Sequence, residues 1–332
     1  MKGNKKMQLK KNMKIIGICA AIVLIVILII NLIIKIPAYK NQKKSEKAFV
    51  IPYINKGFIP QGITYDENSD NFYVTGYMFG SKASPIFIVN RQTGNLVNAI
   101  RMAKPNGDKF RGHAGGISIT NEKIYIAGGF DGCFYVFDKS KVDNAEFESS
   151  VSYSEILNVK TDSDIVKASY TTMHNGMLYG GEFYRFPFYS TKKSHKEKTS
   201  DGTQHALIVG FNLENNNATA AVAYSIPKHV QGVCFSDEAI YFTTSWGLGI
   251  SKLYKFNLNK LTQQGTKQVC AQTVPLYILT PSTADEIIKL PPMLEEIEFV
   301  NGKIYTLNEY ASNKYLIGKL TNAKWSRAYK AE

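Results

Sequence analysis

Cysteine and tryptophan are scarce in this chain, with four and two copies in 332 residues, and histidine is little commoner at five. Cys19 sits inside an apolar run, which leaves Cys133, Cys234 and Cys270, an odd number. A fold held together by a disulfide framework is therefore excluded, although Cys234 and Cys270 fall in one sequence repeat and their pairing stays open. The chain also lacks CxxC, HExxH and calcium-loop patterns, which removes the metal sites recognisable from spacing alone. It has no GxSxG, so a serine nucleophile on a strand-to-helix elbow is disfavoured. Beyond residue 48 no helix-period stretch occurs, and hence no strand-to-helix junction to cradle a phosphate.

What fills the chain instead is one phrase repeated five times: a turn, a hydrophobic strand, a tight turn and a hydrophobic-Tyr strand. It begins at Pro60, Ala114, Ala168, Val230 and Leu294. Aligning Phe72-Tyr73, Ile124-Tyr125, Leu178-Tyr179, Ile240-Tyr241 and Ile304-Tyr305 places Gly62, Gly116, Tyr170, Gly232 and Glu296 in one column, at steps of 54, 54, 62 and 64 residues. A period of this size made only of strand signals indicates a β-propeller, because each unit must stack its spare apolar face on a neighbour.

Later strands in each unit, such as SPIFIVNRQTG followed by LVNAIRM, bring the number per blade to four. The fold class is therefore all-β, a propeller of five four-stranded blades, with a sixth around residues 262–292 as the alternative. The fifth blade stops after YLIGKL from Tyr315 and lacks an outer strand, which FVIPYI from Phe49 is expected to supply. Joining both chain ends in one blade closes the ring and removes exposed sheet edges.

Ile15 to Ile34 is 20 residues without a charge, about the length a bilayer core requires. Six lysines precede it (Lys2, Lys5, Lys6, Lys10, Lys11 and Lys14), and no small-x-small cleavage site follows. The positive-inside rule then leaves the N-terminus cytoplasmic and the propeller outside, on an uncleaved anchor rather than a signal peptide. The expected organisation is a cytoplasmic basic tail (1–14), a transmembrane signal anchor (15–36), a juxtamembrane stalk (37–48), the propeller (49–325) and a C-terminal tail (326–332).

The formal charge of +13 does not point to nucleic acid, because residues 1–47 hold 11 lysines and one Glu, leaving +3 for the rest. That basicity orients the helix and meets anionic lipid. The expected partners are the membrane and an envelope ligand or protein. A second basic stretch, KKSHKEKTSDGTQH from Lys192, reads as a solvated mobile loop.

In a propeller, inner strands begin and second strands end on one face, where pockets form around the channel mouth. The alignment puts Gln61, Gly115, Ser169, Gln231 and Glu295 at the inner-strand starts, followed by the Gly62–Glu296 column. Glu182, Asn308 and Glu309 fall at second-strand ends, with His113 and His229 in the loops before the inner strands. Two readings stay open. In one, these polar groups satisfy backbone in a narrow wet channel and, with Tyr170 and Trp246, bind a ligand or partner. In the other, Glu295 and Glu296 hold a hard cation such as Ca²⁺, and Glu182, Glu296, Glu309 and His113 carry out cation-dependent hydrolysis of a lactone, glycan or phosphoester. The enzyme reading requires Glu182, Glu296 and Glu309 to converge on one point. The segments EFYRFPFYS from Glu182 and SWGLG from Ser245 add an aromatic rim of Phe183, Tyr184, Phe186, Phe188, Tyr189 and Trp246, suited to stacking on a sugar or gripping a partner.

The succession PQGI, HAGGI, VQGV and PPMLEEIEFVNGKIYTLNEYASNKY resembles a group of secreted or membrane-anchored bacterial propeller proteins of unassigned activity, over roughly residues 49–320. More distantly the chain is similar to the YVTN/quinoprotein-like and gluconolactonase-like propeller superfamilies. The latter include metal-dependent lactonases, whose Glu, Asn and Asp ligand set has no residue-by-residue counterpart here. The resemblance thus implies fold and location and leaves activity open.

Overall fold

The computed structural model describes residues 2–315 and 323–331, with the side chains at 2–11, 27, 28, 30 and 31 outside the description. Five antiparallel sheets of alternating apolar strands make a five-bladed propeller. From the axis outward, blade one is Phe58–Asp66, Asn71–Met78, Pro85–Asn90 and Leu96–Ala103. Blade two is Ile117–Ile119, Lys123–Ala127, Cys133–Asp138 and Glu155–Asn158. Blade three is Ala168–His174, Met177–Glu182, Ala206–Glu214 and Asn217–Ile226. Blade four is Val230–Phe235, Ala239–Thr244, Ser251–Asn257 and Glu286–Leu290.

Blade five joins the two ends of the chain. Leu294–Val300 and Lys303–Asn308 are followed by Trp325–Lys330, against which Glu46–Val50 pairs as the outer strand. The N-terminal closure expected from the sequence is therefore present, three residues earlier than FVIPYI suggested. The third strand is WSRAYK, so residues assigned to a C-terminal tail belong to the sheet. YLIGKL lies, apart from Tyr315, outside the described residues. The stretch 262–292 makes no sixth blade. Thr266–Val269 and Gln272–Ile278 form a hairpin that adds in parallel to the outer edge of blade three, and Glu286–Leu290 completes blade four.

The period-2 patterning explains the stacking. Each sheet buries both faces, and the five largest apolar clusters correspond to the five inter-blade seams. Phe72, Phe87 and Leu307 fill the seam between blades one and five, while Phe134, Leu178 and Phe211 fill that between two and three. Each fully buried aromatic contributes roughly 1.5–3 kcal/mol of transfer free energy.

The glycine column follows from how closely the inner strands approach at the axis. A Cβ on Gly116 would stand 2.5 Å from Tyr170 Cα, and one on Gly232 2.4 Å from Glu296 Cα. Blade three departs from the column by folding the Tyr170 ring onto Gly181, where a Cβ would stand 1.9 Å from the ring.

A 43-residue helix, Lys2–Lys44 with Pro37 inside it, precedes the propeller. The expected transmembrane segment falls on this helix and includes positions outside the description. Among the described residues no helix is long and apolar enough to cross a membrane. The stalk does not hang free. Ala38 and Gln42 are buried, Asn41 Nδ2 donates to Lys289 O at 2.9 Å, and Arg327 Nη1 donates to Gln42 O at 3.3 Å, docking the helix end on the rims of blades four and five.

One reading left open is decided and one expectation is corrected. All four cysteines are free, since Cys234 lies on the inner strand of blade four and Cys270 in the hairpin at the edge of blade three. The Lys192 insertion is not a mobile loop. It folds as the short hairpin Glu197–Thr199 and Gly202–Gln204, held by an ion pair between Lys267 and Glu197 and by the buried His195.

Candidate functional site at the channel mouth

Each inner strand in blades one, three, four and five carries a β-bulge near its start, between Pro60 and Gly62, Ala168 and Tyr170, Val230 and Gly232, and Leu294 and Ile297. A bulge leaves one residue out of the ladder and re-aims its side chain. The residues at these positions are Gln61, Ser169, Gln231 and the consecutive Glu295 and Glu296, and of these Gln61, Ser169, Gln231 and Glu295, together with Gly115 of blade two, line a single cavity of about 1080 Å³. One residue from each of the five blades thus forms a common floor.

On this floor Glu295 is 4% exposed. Its Oε1 accepts from Gln231 Nε2 at 3.3 Å, a long contact for a carboxylate. Burial, then the neighbouring charges of Glu309 and Glu296, push its pKa well above the usual carboxylate range. Gln61 Nε2 turns back to Pro60 O at 2.9 Å, and Ser169 Oγ to Lys167 O at 3.2 Å.

Glu309 and His113 line one wall, and a polar cluster behind them holds Glu309. Glu309 Oε1 accepts from Tyr315 OH at 2.9 Å and Tyr77 OH at 3.3 Å, and Lys314 Nζ donates to the same Tyr77 oxygen at 2.9 Å. Burial and then Glu309 raise the pKa of both tyrosines. His113 lies over Tyr77 with ring centroids 4.7 Å apart, and desolvation lowers its pKa despite the opposing pull of Glu309.

The facing wall is aromatic. Phe183 meets Tyr189 edge-on at 5.2 Å and Trp246 at 6.1 Å, and Tyr189 stacks on Phe130 at 5.7 Å. The Arg185 guanidinium stacks on Trp246, 3.9 Å from the ring centroid. His229 packs half-buried behind Phe183 and Trp246. Of the expected rim, Tyr184 instead stacks on His205 at 4.3 Å, while Phe186 and Phe188 point to solvent. The loop carrying Lys104, Lys109 and Arg111 completes the outer wall.

Several sequence-derived candidates stand elsewhere. Tyr170 is wholly buried in the seam between blades three and four. Asn308 is buried and donates through Nδ2 to Pro292 O at 3.0 Å, fixing a loop. Glu296, expected as a metal ligand and catalytic group, is fully buried on the axis. Its Oε1 accepts from Thr171 N at 2.7 Å, and its Oε2 from Ile63 N and Ile117 N, each at 3.0 Å. One side chain of blade five therefore ties the inner strands of blades one, two and three. Burial raises its pKa, against the lowering effect of these three N–H donors. Three of its roughly four lone-pair directions are taken by backbone N–H groups, so Glu296 serves as an axial tie between blades.

Glu182 is likewise fully buried, behind the blade-three sheet. Its Oε2 accepts from His195 Nδ1 at 2.9 Å and Leu207 N at 3.1 Å, and the other face of the His195 ring meets Asp164, with Nε2 to Oδ1 at 3.1 Å. Glu182, Glu296 and Glu309 thus have separate partner sets and do not converge as the enzyme reading required. Among the described residues no group of three or more His, Cys, Asp and Glu side chains is placed to hold a metal ion.

The sequence reading missed Tyr77, Lys314 and Tyr315, which are brought to Glu309 from a strand end and the following loop. Adjacency of Glu309 to blade one, through the ring closure, was the available signal. His195 was missed because its surroundings are lysine-rich.

Fold and cavity define the chain as a five-bladed β-propeller with a polar-floored pocket at one end of its channel. No protein-family model and no curated protein matches it. Solved structures with a similar chain path include Myxococcus xanthus glutaminyl cyclase, at 8% identity and a TM-score of 0.43 over 86% of this chain and 92% of that one. BamB from Moraxella catarrhalis gives 10% identity and a TM-score of 0.33 over 82% and 85% of the two chains. A nidogen/laminin complex gives 8% and 0.38 over 76% and 73%. These likenesses carry no argument about activity.

Proposed function

We propose that this protein is a membrane-anchored, extracytoplasmic propeller that binds a small polar ligand in the channel-mouth cavity. The observation that carries the binding reading is the floor itself: bulges in four blades turn Gln61, Ser169, Gln231 and Glu295 out of their ladders toward one volume. A cavity of this size with convergent polar groups and an aromatic wall is what small-ligand sites require. The hydrolase alternative has less support, because Glu182 and Glu296 are committed to His195 and to backbone N–H groups.

Support for the anchor is the uncharged run Ile15–Ile34 behind six lysines, with side chains such as Ile16 and Leu32 exposed and without protein to cover them. An apolar helix in that state is stabilised by lipid. Membrane extraction tests the location: the chain is expected to resist alkaline wash and yield to detergent, with the propeller open to protease on intact spheroplasts.

The binding reading is tested by screening small polar compounds for thermal stabilisation of the full-length protein in detergent, since a ligand of the native state raises its melting temperature. Hits are expected to lose their effect in Ser169→Phe, which fills the floor. Hits indifferent to that substitution would place binding elsewhere.

A further inference from the structure

The residues around the cavity specify a class of ligand, provided that the binding reading of that cavity holds. Glu295 is nearly sealed from solvent, lines the cavity and, among the described residues, has a 3.3 Å amide contact as the one hydrogen-bond partner of its carboxyl group. Among the described residues neither Glu295 nor Glu309 takes part in an ion pair. Among the described residues Lys314 is linked to Glu309 through the Tyr77 hydroxyl, which accepts from the lysine and donates to the carboxylate. The cations that line the cavity, Lys104, Lys109 and Arg111, sit on an exposed loop. A buried carboxyl group normally has a charged or well-directed partner, because its ionised form is costly to desolvate alone. Two buried clusters among the described residues keep that rule. Lys139 stands between Asp66 and Asp143 at 2.8 and 2.6 Å, and His195 between Glu182 and Asp164. Glu296 has three backbone N–H donors in place of a counter-charge, whereas Glu295 has neither an ion pair nor a short donor among the described residues, and it lines the cavity.

The second observation is the wall across that space. Phe183, Tyr189 and Trp246 line the cavity with their rings in mutual contact, and Arg185, which stacks on Trp246, is not among the lining residues. Aromatic rings attract a cation and shelter the apolar body attached to it. We infer that the cavity takes an organic amine: an ammonium group paired with Glu295 on the floor, with Glu309 nearby, and an apolar or aromatic body against Phe183 and Trp246. Burial and then the charges of Glu309 and Glu296 raise the pKa of Glu295, and a bound ammonium would oppose both effects.

Three probes of one shape separate charge from shape: tryptamine, its neutral counterpart tryptophol and its anionic counterpart indole-3-acetate, titrated calorimetrically into the full-length protein in detergent. Tryptamine is expected to bind at least roughly tenfold tighter than tryptophol, as a buried charge-assisted pair implies, and indole-3-acetate not at all. Glu295→Gln is expected to abolish the preference for the amine while tryptophol binding stays within about twofold. Trp246→Leu, at a half-exposed position, is expected to weaken amine and alcohol together and serves if the Glu295 variant folds poorly. Tryptophol or indole-3-acetate binding as tightly as tryptamine would overturn the amine inference and leave the cavity reading standing. An undiminished amine preference in Glu295→Gln would overturn the assignment of that residue and the inference with it. No binding by any of the three would overturn both.

Discussion

His195 and Glu182 form a fully buried pair, Nδ1 to Oε2 at 2.9 Å, with Asp164 closing on the opposite ring nitrogen at 3.1 Å. Burial alone would lower the histidine pKa, but hydrogen bonds to Asp164 and Glu182 outweigh it and push it up to about 9 from 6.5. A pKa raised by folding contributes stability that is complete below the unfolded value and is lost as pH rises through the folded one. The contribution, about 3 kcal/mol at most, is therefore present below pH 6.5 and gone above about pH 9. Asp164 bounds the other side. Despite the raising effect of burial, His195 and the Cys270 N–H hold it at about 2, so its share is lost only as pH falls from 3.8 through that value. Urea midpoints are expected to fall between pH 6.5 and 9.5 in the wild type. His195→Gln is expected to cost roughly 3–5 kcal/mol at pH 6 and to lose that alkaline slope. Parallel curves for the two proteins would show that the pair is energetically idle.

Glu296 is expected to matter for folding and not for the cavity. Glu296→Ala strands three buried N–H groups, each worth about 1–3 kcal/mol when left unsatisfied, so a loss of at least about 3 kcal/mol is expected in denaturant titrations. Glu296→Gln keeps one acceptor oxygen and should fall between. Intact stability in Glu296→Ala would mean that water can replace the carboxylate on the axis.

The glycine column makes a steric prediction. With a Cβ at Gly232 only 2.4 Å from a neighbouring backbone carbon, Gly232→Ala must push blades four and five apart. Overpacking of ordinary cores costs about 1–3 kcal/mol, and a clash with backbone should reach or exceed the top of that range. A melting temperature unchanged in Gly232→Ala would contradict this spacing.

The thiols should be silent in the native state. Cys133 and Cys234 are buried, and burial pushes up the pKa of both. Because the thiolate is the reacting form, an aromatic disulfide reagent is expected to label neither until the protein is unfolded. Reductant should leave the melting temperature unchanged. A reductant-sensitive transition would reveal a bridge.

Architecture was legible in the sequence because blade repeats are local: every hairpin phrase carries its own turn and its own Tyr, and the Gly62–Glu296 column marks where strands meet the axis. The ring closure was legible too, but its partner strand WSRAYK was passed over, since six residues with two basic side chains and little alternation read as a tail. The site was half legible. Strand-start positions are set by the repeat, so Gln61, Ser169, Gln231 and Glu295 could be placed on one face. Which of two consecutive glutamates points outward depends on a bulge, however, and a bulge leaves no mark in the residue types. The alternation of Glu295 and Glu296 therefore turned one into floor and the other into an axial tie. The basic insertion misled for a related reason, because the burial of His195 is decided by Glu182 and Asp164, 13 and 31 residues away.

The strand that closes the ring, Glu46–Val50, begins two residues after the N-terminal helix ends at Lys44. On the anchored reading, tether and clasp are then one continuous stretch of chain. Tension between cell surface and propeller would be borne first by the helix end at Asn41 and Gln42 and next by the seam between Glu46–Val50 and Trp325–Lys330. A protease cutting ahead of Pro37 would release a sealed ring, whereas a cut after Val50 would leave the clasp on the membrane and open blade five.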